Sequence, residues 1–145
     1  HRVLQDAADY AEHRGVDCKL VVSPESAGAA ILGDEGLLQR AIDNILQNAL
    51  DHTPPGQAVH LAMTLAADEL SLVIEDEGPG VPEDLLGQLF EPFFRVDKSR
   101  GGRGWGLGLA IARDIVSAHD GTIKASAGAP GGLRVSVNLP VFFGG

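Results

Sequence analysis

Cysteine and basic residues are both scarce in this 145-residue chain. A single cysteine, Cys18, rules out an internal disulfide and a cysteine-rich zinc site. A small buried thiol in a strand accounts for it. Lys and Arg number 11 against 20 Asp and Glu, a formal charge of −9 with a pI near 4.8. That balance argues against nucleic acid and against anionic lipid as partners. No apolar run approaches the roughly 20 residues of a membrane helix, and no signal-peptide pattern opens the chain, so no direct membrane contact is expected. What is present suffices for one folded domain over 1–145: 44 % of residues are hydrophobic, and the length lies in the usual range of roughly 100–150 residues. The few cations are gathered together, with Arg95, Lys98, Arg100 and Arg103 in one short stretch. A compact basic loop on an acidic chain points to a small anion as ligand.

Hydrophobic periodicity orders the chain. Residues 2–14 read as a helix stopped by Gly15, and 17–22 and 29–33 as short strands. Residues 35–51 are the strongest helix, with Asp34 as cap and apolar pairs at Leu37/Leu38, Ala41/Ile42, Ile45/Leu46 and Ala49/Leu50. Thr53-Pro54-Pro55-Gly56 ends it. Alternation predicts strands over 59–65 and 69–76, joined by a turn at Ala67-Asp68. A short helix opened by Pro82 follows, then a polar, Gly-rich loop over 95–106. A second strong helix spans 107–119 and is ended by Asp120-Gly121, and a hairpin of 122–126 and 132–139 closes the chain. The fold class is α/β: a two-layer sandwich of a mixed, largely antiparallel sheet on about three helices.

Three constellations carry chemistry. In NILQNALDHT (44–53), Asn44 and Asn48 share a helix face that borders the apolar stripe. An amide oxygen there can ligate a hard cation such as Mg²⁺ that leans on substrate phosphates; two Asn that hydrogen-bond across the helix rim fit the pattern too. In EDEGPGVP (75–82), Asp76 has the parity of Leu70, Leu72 and Ile74 and so points inward. A buried carboxylate needs a donor, and the exocyclic amine of adenine fits, with Gly78 and Gly80 letting the backbone approach a flat ring. An acidic β-turn around Pro79 is the competing account. In GWGLGLAIA (104–112), glycines 104, 106 and 108 run into a helix whose free N–H groups suit an anion. No strand precedes this string and no Gly-Lys-Ser/Thr follows, so neither a dinucleotide-binding βαβ unit nor a Walker loop is indicated.

Taken together these segments resemble the catalytic, ATP-binding domain of bacterial two-component sensor histidine kinases, in the superfamily shared with gyrase, heat-shock chaperone and mismatch-repair ATPases (the Bergerat-type ATP-binding fold). NILQNALDHT is similar to that family's N box, DEGPG to its G1 box, LFEPFFR (89–95) to its F box and GWGLGLAIA to its G2 box. They come in the family's order over about 35–140, and GLRVSVNLP (132–140) looks like its closing strand. The resemblance implies ATP and Mg²⁺ as cofactors. Asn48 would ligate the metal, with Asn44 supporting the metal–phosphate end. Asp76 would bind the adenine amine in a pocket shaped by Gly78 and Gly80. Gly104, Gly106 and Gly108, with Leu107 and Leu109, would hinge a lid and present N–H groups to phosphate. Phe90, Phe93 and Phe94 would anchor the lid, though they suit a core equally. Arg95, Lys98, Arg100 and Arg103 would supply charge near the triphosphate, or form a solvated basic loop. His52 is placed for a ligand contact, and a helix-end histidine favoured by the dipole is the alternative.

Departures from the family pattern shape the expected mechanism. Asp51 stands where Lys or Arg is common, so the phosphate contact of that position is lost or passes to the lid. Trp105 within the glycine run has no counterpart role beyond a hydrophobic lid anchor. Hydrolysing members carry a Glu base at the position of Asn44, and an amide cannot abstract a proton. Phosphoryl transfer to a histidine is therefore expected over an ATPase cycle. None of the five histidines (His1, His13, His52, His60, His119) sits in the family's acceptor motif. The acceptor is expected on a separate dimerisation domain, with 1–14 as lead-in helix, a response regulator receiver domain downstream, and no autophosphorylation by this chain alone. Family habit places such a domain in the cytoplasm, as part of a membrane-anchored sensor. Two other readings stay open: a non-catalytic ATP-sensing or docking module, and an anti-sigma-factor serine kinase.

Overall fold

In the computed structural model the described residues are 15, 17–22 (as backbone), 35–66, 68–92, 108–128 and 132–140. The predicted helix over 2–14, the strand over 29–33, the Asp34 cap, the Cys18 side chain and the segment 93–107 lie outside them.

Among the described residues, five strands form one sheet in the order β1-β2-β3-β5-β4: β1 Asp17–Val22, β2 Ala58–Ala66, β3 Glu69–Asp76, β4 Thr122–Ala127 and β5 Leu133–Pro140. β1 runs parallel to β2, and every other pair is antiparallel. The exception follows from connectivity. The β1–β2 link contains the helix α1, Glu35–Asp51, and a crossover brings the chain back in the same direction. The β2–β3 and β4–β5 links are hairpin-sized. The predicted mixed, largely antiparallel sandwich is therefore the observed one.

One face of the sheet is packed against α1 and the helix α2, Gly108–Ala118. The buried stripe of α1 (Ala41, Ile45, Leu46, Ala49, Leu50) and that of α2 (Leu109, Ala112, Ile115, Val116) meet Val59 and Leu61 of β2, Leu72 and Ile74 of β3, and Leu133, Val135, Val137 and Leu139 of β5. Burying each such branched side chain contributes about 1.5–3 kcal/mol, so this layer dominates stability. Leu37 departs from the expected stripe: it is 43 % exposed because it lies in the first turn of α1, while its neighbour Leu38 packs against the core. Phe90 is in the core, as its alternative reading held.

Two element ends sharpen the sequence expectations. The predicted short helix is a 3-10 helix, Glu83–Gln88, and Pro82 opens it as the N-cap: its ψ of 139° is still extended, while its carbonyl accepts the first helical bond, from the Leu85 N–H at 2.9 Å. None of its residues is fully buried and only Leu86 packs partly against the core, so no apolar stripe draws it into a full α-helix. α2 ends in a Schellman motif: the Gly121 N–H bonds the Val116 carbonyl at 2.9 Å and the Asp120 N–H bonds that of Ser117 at 3.1 Å. Asp120 holds the left-handed position (φ 62°) that glycine usually fills.

Candidate functional site

β3 carries three apolar side chains, Leu70, Leu72 and Ile74, into the core, and the next residue of the same parity is Asp76 at the strand's end. Its side chain is buried, with the residue 2 % exposed. A carboxylate there is costly unless hydrogen-bonded, and the backbone meets that need. Oδ1 accepts the Gly78 N–H at 3.0 Å and, from β5, the Leu133 N–H at 3.1 Å. No described residue donates to Oδ2. The bond to Gly78 is an Asx-type turn, so the inward carboxylate and the acidic turn, offered as alternatives by the sequence, coexist.

Backbone approaches too close for a side chain set the walls. A Cβ on Gly78 would overlap the carbonyl oxygen of His52, which joins this turn to the end of α1. A Cβ on Gly132 would overlap the Asp76 carbonyl and stand 2.8 Å from Asp76 Oδ1. Gly80 has φ +76°, open to glycine at little cost. Asp76 is thus held by its own turn, by α1 and by β5.

Asn44 and Asn48 lie half-buried on α1, at the edge of the stripe formed by Ala41, Ile45 and Ala49. Neither side chain hydrogen-bonds a described residue, so the cross-rim pairing offered as an alternative is not formed among them. A Cβ on Gly108 would touch Asn44 Cβ at 3.9 Å. Gly108, the first described residue of α2, therefore lies beside Asn44 of α1, at the end of the helix where the dipole is positive. His52 is exposed, and its Nδ1 lies 2.7 Å from the Asn48 carbonyl, a helix-end contact. Leu109 packs its side chain in the core, which leaves only its backbone for a ligand. Arg95, Lys98, Arg100, Arg103, Gly104, Gly106 and Leu107 lie outside the described residues. No group of three or more His, Cys, Asp or Glu that could hold a metal occurs among the described residues. A free amide oxygen on Asn48 suits a hard ion that arrives on phosphates and keeps most of its water.

The structure brings together Asn44, Asn48, His52, Asp76, Gly78 and Gly108. It adds Gly132 and the Leu133 N–H, which pattern reasoning missed. The Gly131-Gly132 pair before an alternating strand was the available signal, but nothing local says which residue a strand approaches 57 positions away.

The family described as Histidine kinase-, DNA gyrase B-, and HSP90-like ATPase matches residues 33–142. Sensor histidine kinase CusS of Escherichia coli O157:H7 is 38 % identical over 132 residues, which is 90 % of this chain and 26 % of that protein. Among solved structures, the mycobacterial sensor histidine kinase MprB superposes with a TM-score of 0.84 and 31 % identity, covering 97 % of this chain and 94 % of that one. The ATP binding domain of PrrB from Mycobacterium tuberculosis superposes with a TM-score of 0.76 and 29 % identity, covering 98 % and 93 %. The chain spans a fifth to a quarter of the length of the curated relatives it matches.

Proposed function

The chain belongs to the histidine kinase-, DNA gyrase B- and HSP90-like ATPase family, as an ATP-binding catalytic domain of the sensor-histidine-kinase kind, and from that premise we propose that it binds MgATP between Asp76 and Asn48 and donates the γ-phosphoryl to a histidine of a separate dimerisation domain. The observation that carries this reading is the Asp76 carboxylate, with Oδ1 saturated by two backbone donors and Oδ2 left to accept. The 6-amine of adenine is a donor of the right kind, and the Gly78 and Gly132 approaches let a flat ring lie against backbone.

At the other end Asn48 offers its amide oxygen to Mg²⁺, and Asn44 and the first N–H groups of α2 face the phosphates. Bound Mg²⁺ would neutralise charge on the β- and γ-phosphates. The domain's own work is to position and to neutralise: Asp76 fixes the base, Asn44, Asn48 and the helix start fix the phosphates, and Arg95, Lys98, Arg100 and Arg103 supply positive charge to them in place of the cation that Asp51 displaces. An imidazole nitrogen of the acceptor then attacks the γ-phosphorus in line, the bond to the β–γ bridging oxygen breaks, and ADP leaves. Asn44 cannot serve as a base towards water, which keeps the γ-phosphoryl for the protein acceptor. A receiver domain takes the group next, and the site works in the cytoplasm as part of a larger sensor.

Incubation of the chain with MgATP and a separately made dimerisation domain tests this. Acid-labile phosphohistidine on that domain, absent without the chain, is the expected result. ATP binding without transfer would favour a sensing module, and phosphoserine on a partner would favour an anti-sigma-factor kinase.

A further inference from the structure

Glu77 follows the carboxylate that reads the base, yet it reaches the opposite way. Its Oε1 accepts the Ala58 N–H at 2.8 Å, and its Oε2 lies 3.1 Å from Nε2 of His60. Both partners belong to β2, whose Val59 is the register partner of Asp76. On the other side of Asp76, Glu75 is held by Arg134 of β5, with Nη2 to Oε2 at 3.1 Å. The residues flanking Asp76 are therefore tied to the two strands that flank β3, and Gly78 is wedged against His52. A binding turn that is not already ordered charges its ordering to the ligand, roughly 1–2 kcal/mol per residue.

We infer that Glu77 is a positioning residue for base recognition: by bridging the Ala58 N–H and His60, it holds the 76–78 turn so that Asp76 Oδ2 is presented to the adenine amine. A half-exposed His–Glu pair contributes little to global stability, so its consequence falls on the turn. The inference rests on the adenine reading of Asp76 above.

The test compares ATP with GTP, whose six-position carries a carbonyl instead of an amine. Glu77→Ala should lower ATP affinity about tenfold and narrow the preference for ATP over GTP, as loss of a charged hydrogen bond would. Glu77→Gln, which keeps an oxygen for the Ala58 N–H, should recover most of both. A folded Glu77→Ala protein with unchanged ATP affinity overturns the inference. So does an equal loss for both nucleotides, which a purely structural role would give. If Glu77→Ala does not fold, His60→Ala decides: a preference narrowed by about twofold or more supports the inference, since one of the two tethers is gone, and an unchanged preference overturns it. Asp76→Asn, measured alongside, separates the two layers. If it loses ATP while Glu77→Ala does not, only the positioning role fails; if Asp76→Asn keeps full affinity, the adenine reading itself fails.

Discussion

The two ends of the proposed nucleotide site are built in different ways. At the adenine end, four elements converge on one buried carboxylate: the 76–78 turn, β5 through Leu133, the end of α1 through His52, and β2 through Glu77. The contacts there are mostly backbone, and two of them leave no room for a Cβ. At the phosphate end, Asn44 and Asn48 lie half-buried on α1, and a Cβ added to Gly108 of α2 would meet Asn44 at ordinary van der Waals distance. The first is a rigid socket whose shape exists before a ligand arrives; the second is a set of donors and acceptors able to follow a flexible triphosphate. A flat base rewards preorganisation, because every contact ordered beforehand is one the ligand does not have to order. Phosphates with their metal and water are served by charge and reach.

Glycine substitutions probe that contrast most sharply. Gly132→Ala puts a methyl into the backbone carbonyl of Asp76 at the end of β3 and against its Oδ1, a buried side-chain oxygen pinned by two backbone donors. A stability loss of about 3 kcal/mol, at the upper end for overpacking, is expected, with ATP affinity falling too; chemical denaturation and nucleotide titration measure them. An unchanged midpoint would mean that the socket is not rigid. Gly108→Ala is the counterpart at the phosphate end, where among the described residues the new Cβ would meet only Asn44, at 3.9 Å from its Cβ. Here stability should hold or rise by up to about 1 kcal/mol, the helix-propensity gain of Ala over Gly. A loss as large as that of Gly132→Ala would erase the distinction between the two ends.

Periodicity made most of the fold legible. The α1 stripe, the β3 alternation and the β5 alternation lie where their apolar spacing put them, because burial of one face is what selects those periods. Leu37 did not follow, since a first-turn residue can satisfy the pattern and still overhang the core. Pro82 does open the short helix, but that helix is of the 3-10 kind, since none of its six residues is fully buried and Leu86 alone among them packs part of its side chain on the core. In the site, the residues that announce themselves by type were readable: Asn44, Asn48, Asp76, and the glycines beside them. Gly132 and the Leu133 N–H were not, since a backbone donor carries no residue signature. Glu77 carries no signature of its own in an acidic turn, because its partners Ala58 and His60 lie 19 and 17 positions away on β2.

The central claim is that Asp76 reads the base while Asn48 serves the phosphates, and nucleotide affinity of Asp76→Asn tests it most directly. Calorimetric titration of the folded variant should show ATP weakened about 10–100-fold, the range for losing a hydrogen bond to a charged group, with the preference for ATP over GTP reduced. Asn48→Ala, as reference, should weaken both nucleotides alike in the presence of Mg²⁺. An Asp76→Asn protein that binds ATP as tightly as the parent, with its preference over GTP intact, would contradict the account.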